Sequence, residues 1–248
     1  MKLQIISDLH IDFNTSDSKD PLDYVTPLAD ILIMAGDIGS LYKFDQLSQF
    51  IRDVSKLYKH ILYVVGNHEY YKVKNIVPKT FFELTQLLYD LEKKIPNFHF
   101  LQRKSIQISN ICIIGCTLWS RISFILPKHI VKIHGLNTEI YNSFNQKDVQ
   151  YIKQMIGYCQ QNDLKLIVIT HHCPTTKLNP DIDSPLSDLY YNDLDYLLTA
   201  KQVDTWIFGH THIQVNTVSK EGTKLIANQK GKPKENIMDY RKDFVLNF

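Results

Sequence analysis

An α/β fold is predicted for this chain of 248 residues by three observations. Apolar, β-branched runs alternate with amphipathic stretches through the first half. The strand–connection–strand spacing fits right-handed βαβ units and a largely parallel sheet. Five of the apolar runs also end in a similar way, at Asp8-Leu9-His10, Gly36-Asp37, Gly66-Asn67-His68-Glu69, His171-His172 and Gly209-His210-Thr211-His212. Polar residues at such ends lie where buried strands open into loops at the carboxyl edge of a sheet, the edge on which α/β proteins build their sites.

The elements follow in order. Strands are expected over residues 3–7, 30–35 and 61–65, with a helical pattern over 45–58 between the second and third. Pro78 can start the next helix, which carries Phe81, Leu84, Leu87, Leu88 and Leu91 and is stopped by Pro96. Two shorter strands, 105–109 and 111–117, join at Asn110 in a tight turn and extend the sheet. Residues 120–145 have poor periodicity and read as a long loop holding Arg121, His129, His134 and Asn137. A helix over 146–161 leads into a β-branched strand over 165–170, then a second long loop through Pro174, Pro180 and Pro185. A short helix near 193–200 precedes a strand at 205–208. Strands at 213–218 and 223–227 turn at Glu221-Gly222, and a last strand spans 243–246. No repeat, low-complexity tract or linker divides the chain, so residues 1–248 read as one domain.

Composition excludes several classes. At 44% hydrophobic and 22% charged the chain is an ordinary globular one, and a net charge of +2 gives no whole-molecule attraction to nucleic acid or anionic membrane. The first residues are too short an apolar run for a signal peptide, and no later run reaches the ~18 residues of a membrane helix. Cys112, Cys116, Cys159 and Cys173 form no CxxC pair, which fits reduced thiols in the cytoplasm.

The residue types at the strand ends suit metal ions. Asp8 and His10 flank one residue, so in an extended exit both point the same way and can share one metal. Asp37 follows a glycine that lets the backbone turn, and its carboxylate can bridge two cations. Asn67 offers a neutral amide oxygen, while His210 and His212 can face one metal each. Imidazole nitrogen with carboxylate oxygen suits Zn, Fe or Mn better than Ca or Mg. Six of the ten histidines, His10, His68, His171, His172, His210 and His212, lie in these segments.

Asp-x-His, Gly-Asp, Gly-Asn-His-Glu, a strand-terminal His and Gly-His-x-His, in this order, resemble the calcineurin-like metallophosphoesterases, in particular their small uncapped bacterial-type members. The resemblance spans roughly residues 3–230 and keeps every ligand-type residue. It implies a four-layer sandwich, two mixed β-sheets packed together and flanked by helices. It also implies a phosphoester hydrolase with two divalent metal ions, Mn, Fe or Zn. Carried over by position, Asp8, His10 and His212 would hold one metal and Asn67, His171 and His210 the other, with Asp37 bridging. His68 would contact the phosphate and protonate or stabilise the leaving oxygen. His171 directly follows its strand and is favoured over His172, which would then stand behind the ligands or face the substrate. The reaction expected is direct attack on phosphorus by a metal-bridging water lowered in pKa. Ile38-Gly39-Ser40 stands where protein Ser/Thr phosphatases carry Asp-Arg-Gly, so the arginine that clamps phosphate in those enzymes is missing.

Substrate contacts are expected from His172, Trp119, Arg121 and Asn137, and Tyr70, Tyr71, Tyr190 and Tyr191 are candidates for stacking on a base. A small, possibly nucleotide-like phosphomonoester or phosphodiester is the favoured substrate, with no membrane partner. One alternative is a nuclease that tracks DNA or RNA with Lys220, Lys224, Lys230, Lys232 and Lys234. The other is a binding protein that keeps the fold without turnover.

Overall fold

The computed structural model describes residues 1–13 and 20–248. The first sheet is built from β1 (Lys2–Ile6), β2 (Ile31–Ala35), β3 (His60–Val64) and β4 (Phe98–Phe100), all parallel. The second contains β5 (Lys104–Ile108), β6 (Ile111–Gly115), β7 (Lys165–Ile169), β8 (Thr205–Ile207), β9 (Val215–Val218) and β10 (Lys224–Ala227), in the order β5-β6-β7-β8-β10-β9. Its four central strands are parallel and its two edge strands antiparallel. The last strand, β11 (Val245–Asn247), returns to the first sheet and pairs antiparallel with β1, giving the order β11-β1-β2-β3-β4. Both sheets are therefore mixed.

Strand alternation assembles the layers. In β2, Ile31, Ile33 and Ala35 face the second sheet and meet Ile113, Ile167, Ile169 and Ile207. Leu32 and Met34 face the other way, onto Leu47, Phe50, Ile51 and Val54 of α1 (Phe44–Ser55) and Leu84, Leu88 and Leu91 of α2 (Phe81–Glu92). On the far side, α3 (Thr138–Gln161) lays Ile152, Ile156 and Cys159 over Cys112, Ile114, Leu166 and Val168. The result is the four-layer α/β sandwich expected. Strands covered on both faces read as unbroken apolar runs, which is why β2 and β7 were conspicuous in the sequence. Each fully buried aliphatic side chain contributes roughly 1.5–3 kcal/mol.

Some boundaries differ from the sequence reading. Helix α3 begins at Thr138, not at residue 146, with Asn137 as its N-cap. Its first turns bury Tyr141 and Asn145 against the loop after β6 and so lack an apolar stripe. The 193–200 segment holds one short 3-10 turn, Asp195–Leu197. Helix α2 starts at Phe81, where Thr80 and Glu83 form a capping box, and not at Pro78. The three-residue edge strand β4 escaped the periodicity altogether. No helix among the described residues is long and apolar enough to cross a membrane. The four cysteines are free and buried.

Candidate metal centre

The carboxyl ends of β1, β2, β3, β7 and β8 meet at one edge of the sandwich. The chain leaves β1 through Asp8 and His10 in left-handed backbone, φ 54° and 47°, so the extended exit inferred from their spacing is not what brings them together. Hydrogen bonds to the loop after β2 set that shape. Asp8 N donates to Gly36 O at 2.9 Å, His10 N to Asp37 O at 3.0 Å and Ile11 N to Ile38 O at 3.0 Å. Asp37, His210 and His212 are also left-handed, at 54°, 72° and 53°. Non-glycine residues in this region cost of order 1–3 kcal/mol each and persist where the surroundings over-determine them, which is most often at functional sites. Gly36 precedes Asp37 at φ 89°, and a Cβ there would fall 2.8 Å from Gly66 N.

Glu69 ties these loops together. It is fully buried and accepts from Gly66 N at 2.9 Å, Asp37 N at 3.0 Å, Ile38 N at 2.8 Å and the Tyr63 hydroxyl at 2.7 Å. Gln229, also fully buried, clamps the last motif. Its side-chain oxygen accepts from His212 N at 2.6 Å, and its amide donates to Thr211 Oγ1 and Ile213 O, both at 2.9 Å.

The side chains converge in three groups whose ligand atoms lie within 4.8 Å of one another: Asp8/His10/His212, His10/Asp37/His68 and Asp37/His171/His210. Asp37 joins the two ends, with one oxygen 3.9 Å from His10 Nε2 and the other 3.4 Å from His171 Nε2. His212 Nε2 is 3.3 Å from both Asp8 Oδ1 and His10 Nε2. Asn67 Oδ1 is 3.0 Å from His171 Nε2.

Hydrogen bonds engage one nitrogen of each ring and turn the other toward the cluster. His171 Nδ1 donates to Ala35 O at 2.9 Å, leaving Nε2 toward Asp37 and Asn67. His210 Nε2 donates to Leu189 O at 3.2 Å, leaving Nδ1. His212 Nδ1 donates to Glu235 Oε2 at 2.5 Å, leaving Nε2 toward Asp8 and His10. Orientation by a carbonyl or carboxylate on the far nitrogen is the arrangement that metal-ligating histidines use.

Charge in the cluster is unevenly shared. Burial holds His10 near 3, and burial with the neighbouring His171 holds His172 near 3. Burial, His172 and His171 likewise drive His210 well below its ordinary range. For His171, burial opposes the charge, but Asp37, Asp8 and Glu69 outweigh it and lift the group to about 9. Burial also works against Asp37, yet His171, His68 and His10 hold it well below the usual carboxylate range. Carboxylate oxygens gathered with imidazole nitrogens form a donor set that suits a divalent transition metal.

The cluster forms the floor of a cavity of about 770 Å³. Asp37, Asn67, His68, His172, His210 and His212 line it, and Phe13, Tyr71, Trp119 and Tyr190 contribute walls. Of the expected substrate residues, Trp119 and His172 therefore line the cavity, with their rings 5.5 Å apart. Arg121 and Asn137 do not line it. Arg121 faces a separate groove beside α3, and the Asn137 side chain accepts from Ile140 N at 2.8 Å as a helix cap. Of the four tyrosines, Tyr71 and Tyr190 line the cavity, whereas Tyr70 is buried against Phe81 and Tyr191 packs in the second sheet's core. In the long loop His129, not His134, reaches it. The lysine run also separates, since Lys232 alone of the five lines the cavity, while Lys230 lies over the Tyr24 ring. Sequence reasoning missed the roles of Glu69, Gln229 and Glu235. Glu69 lies within the Gly66-Asn67-His68-Glu69 segment, whereas nothing near Glu235 in the sequence links it to His212.

Fold and strand-end cluster together define an α/β sandwich with a His/Asp/Asn centre suited to metal. The sequence profile of the calcineurin-like phosphoesterases matches residues 1–214, and the chain belongs to that family. It is 29% identical over 262 aligned positions to the uncharacterized protein L509 of Acanthamoeba polyphaga mimivirus, covering 92% of this chain and 90% of that protein. Among solved structures it resembles phosphopantetheinyl hydrolase (PptH) of Mycobacterium tuberculosis, with a TM-score of 0.74, 16% identity, and 98% and 94% of the two chains covered. It also resembles a dimetal phosphatase of Danio rerio, with a TM-score of 0.52, 12% identity, and 91% and 86% covered. These structural likenesses concern the fold.

Proposed function

We propose that the chain is a dinuclear-metal-dependent phosphoester hydrolase acting on a small phosphomonoester or phosphodiester. The observation that carries this reading is the position of Asp37, whose two oxygens face His10 on one side and His171 on the other. Asp8, His10 and His212 are assigned to one metal and Asn67, His171 and His210 to the second, with Asp37 shared. The choice of His171 over His172 is supported by its contacts with Asp37 and Asn67, while His172 lies beside Trp119. The donor set favours Mn, Fe or Zn. When bound, such ions neutralise phosphate oxygens and supply a nucleophile at neutral pH.

The remaining work falls to the chain. His68 N donates to Asp37 Oδ1 at 2.8 Å, which anchors the residue, and its ring packs 4.3 Å from that of Tyr71 at the cavity floor. Its role is to contact the phosphate and hand a proton to the leaving oxygen. Asn67 is held from its other side, donating to the Tyr71 hydroxyl at 2.9 Å. Trp119 and His172 shape the wall. Residues 1–248 are taken as one domain, because β11 pairs with β1 and Glu235 reaches His212 from beyond the matched segment.

The separation of the lysine run favours a small substrate over a polymeric nucleic acid. The deciding experiment strips the protein with chelator, restores Mn²⁺ and compares p-nitrophenyl phosphate with bis(p-nitrophenyl) phosphate. Hydrolysis of at least one ester, restored by metal and absent without it, is expected. Failure of both across Mn, Fe and Zn would leave a binding protein.

A further inference from the structure

The cavity is larger than one phosphate needs, being within the 300–1,000 Å³ range of sites that enclose whole small ligands. Its wall also carries an unbalanced charge. Lys72, Lys132 and Lys232 line it from three separate segments, and none has a carboxylate within ion-pair distance among the described residues. Among the described residues Lys56, Lys59, Lys93, Lys104 and Lys177 pair with a carboxylate, so what sets Lys72, Lys132 and Lys232 apart is the cavity they share and not the lack of a partner. Lys72 N donates to Lys132 O at 2.8 Å, which joins two of the carriers through their backbones.

The acidic groups of the cavity do not balance these charges. Glu235 is engaged by His212 and by Lys232 N, and Asp37 belongs to the histidine cluster. Asp12 contributes its carbonyl to Lys43, a fourth lysine on the wall, at 2.8 Å. Lys43, Lys72, Lys132 and Lys232 stand against Asp12, Asp37 and Glu235 on this wall, in a chain whose net charge is only +2. Lysines converging on one cavity from three segments favour an anion there, additional to the phosphate proposed to sit over the histidines.

We infer that the lysine-bearing wall is a second anion subsite, so that the substrate carries at least one further phosphate besides the one hydrolysed. This rests on the phosphoester reading for which group is cut, but the subsite is read from relative binding and not from rates. Metal-loaded protein is titrated calorimetrically with adenosine 5′-monophosphate and with adenosine 3′,5′-bisphosphate, which differ by one phosphate. The bisphosphate is expected to bind about tenfold more tightly, as two partly exposed charge pairs would provide. The double substitution Lys72→Gln with Lys132→Gln should bring the two ligands to within about twofold, and Lys232→Gln should give part of that loss. Both leave the monophosphate affinity in place.

Equal affinities in the unmodified protein, or a bisphosphate advantage that survives the substitutions, would overturn the subsite. So would an oligonucleotide of ten residues that binds more tightly than the bisphosphate and loses that binding in the same variants, since it would make the wall a polymer track. If neither p-nitrophenyl ester is hydrolysed while the bisphosphate advantage persists, the hydrolase reading falls and the subsite stands. If hydrolysis is observed and the advantage is not, the reverse holds.

Discussion

At the amino end of β3, His60 Nδ1 lies 3.2 Å from His99 Nε2; just past its carboxyl end, Asn67 Oδ1 lies 3.0 Å from His171 Nε2. By distance alone the two ends are alike. They differ in what surrounds them. His60 and His99 sit half-buried in regular strand backbone, and neither belongs to a metal-competent group among the described residues. The far end has buried Asp8 and Asp37, five non-glycine residues in left-handed backbone, and three imidazoles oriented from behind by protein acceptors. Close histidines are therefore not enough. What distinguishes the candidate centre is buried negative charge together with loops forced into unfavourable backbone to aim the donors.

This contrast is open to direct challenge. Asp37→Asn removes the shared charge and should have the largest effect: metal content falls from about two ions per chain to below one, and hydrolysis drops beneath detection. Elemental analysis checks it beside His60→Ala, which should keep its metal. Equal metal loss in both would erase the distinction between the two ends. For His68→Ala the expected change is roughly 10²- to 10⁴-fold in kcat with metal content intact. An unchanged rate at full metal content would remove His68 from the chemistry.

Glu235→Gln tests whether orientation from behind matters. Replacing the carboxylate on His212 Nδ1 should weaken metal binding about 10- to 100-fold, read by chelator competition. Glu235→Asp should recover part of that affinity. The ¹⁵N shifts of His212 should show Nδ1 losing its strong acceptor, an effect that a merely structural defect would not confine to this ring.

The smallest effect belongs to the other end. Burial, followed by the neighbouring His60, lowers the pKa of His99 from its ordinary 6.5. A histidine depressed in the folded state contributes stability that is present above pH 6.5 and lost as the pH falls through its folded value. The Tm of the unmodified protein should therefore fall further than that of His99→Gln as the pH drops below 6.5. Parallel melting profiles would show that His99 is not protonated to any consequence.

Much of the fold was legible because strands covered on both faces cannot hide. The runs at Ile31–Ala35 and Lys165–Ile169 have no solvent face to carry polar residues, so they stand out without any periodicity. The start of α3 was illegible for the opposite reason. Its first turns bury Tyr141 and Asn145 in a local polar and aromatic contact, Tyr141 with Ser120 and Asn145 with Asn192, and such contacts leave no stripe. Arg121 and Asn137 lay near the right strand in sequence, but Asn137 was committed to capping a helix and Arg121 to another face.

The sequence by itself determined the order of the strand-ending motifs, the donor types at each and hence the class of chemistry, because a ligand must be a residue of the right kind at the end of a strand. Tertiary structure alone decided the rest. Left-handed backbone at Asp8 and His10 comes from hydrogen bonds to the loop after β2, and the modest tolerance of Asp and His for that region does not by itself announce it. Gly231, at φ 72°, turns the chain so that Glu235 returns to His212, an approach between residues 23 apart that no spacing rule encodes. The lysine wall was equally hidden, since Lys72, Lys132 and Lys232 share a cavity only after three distant segments have folded around it.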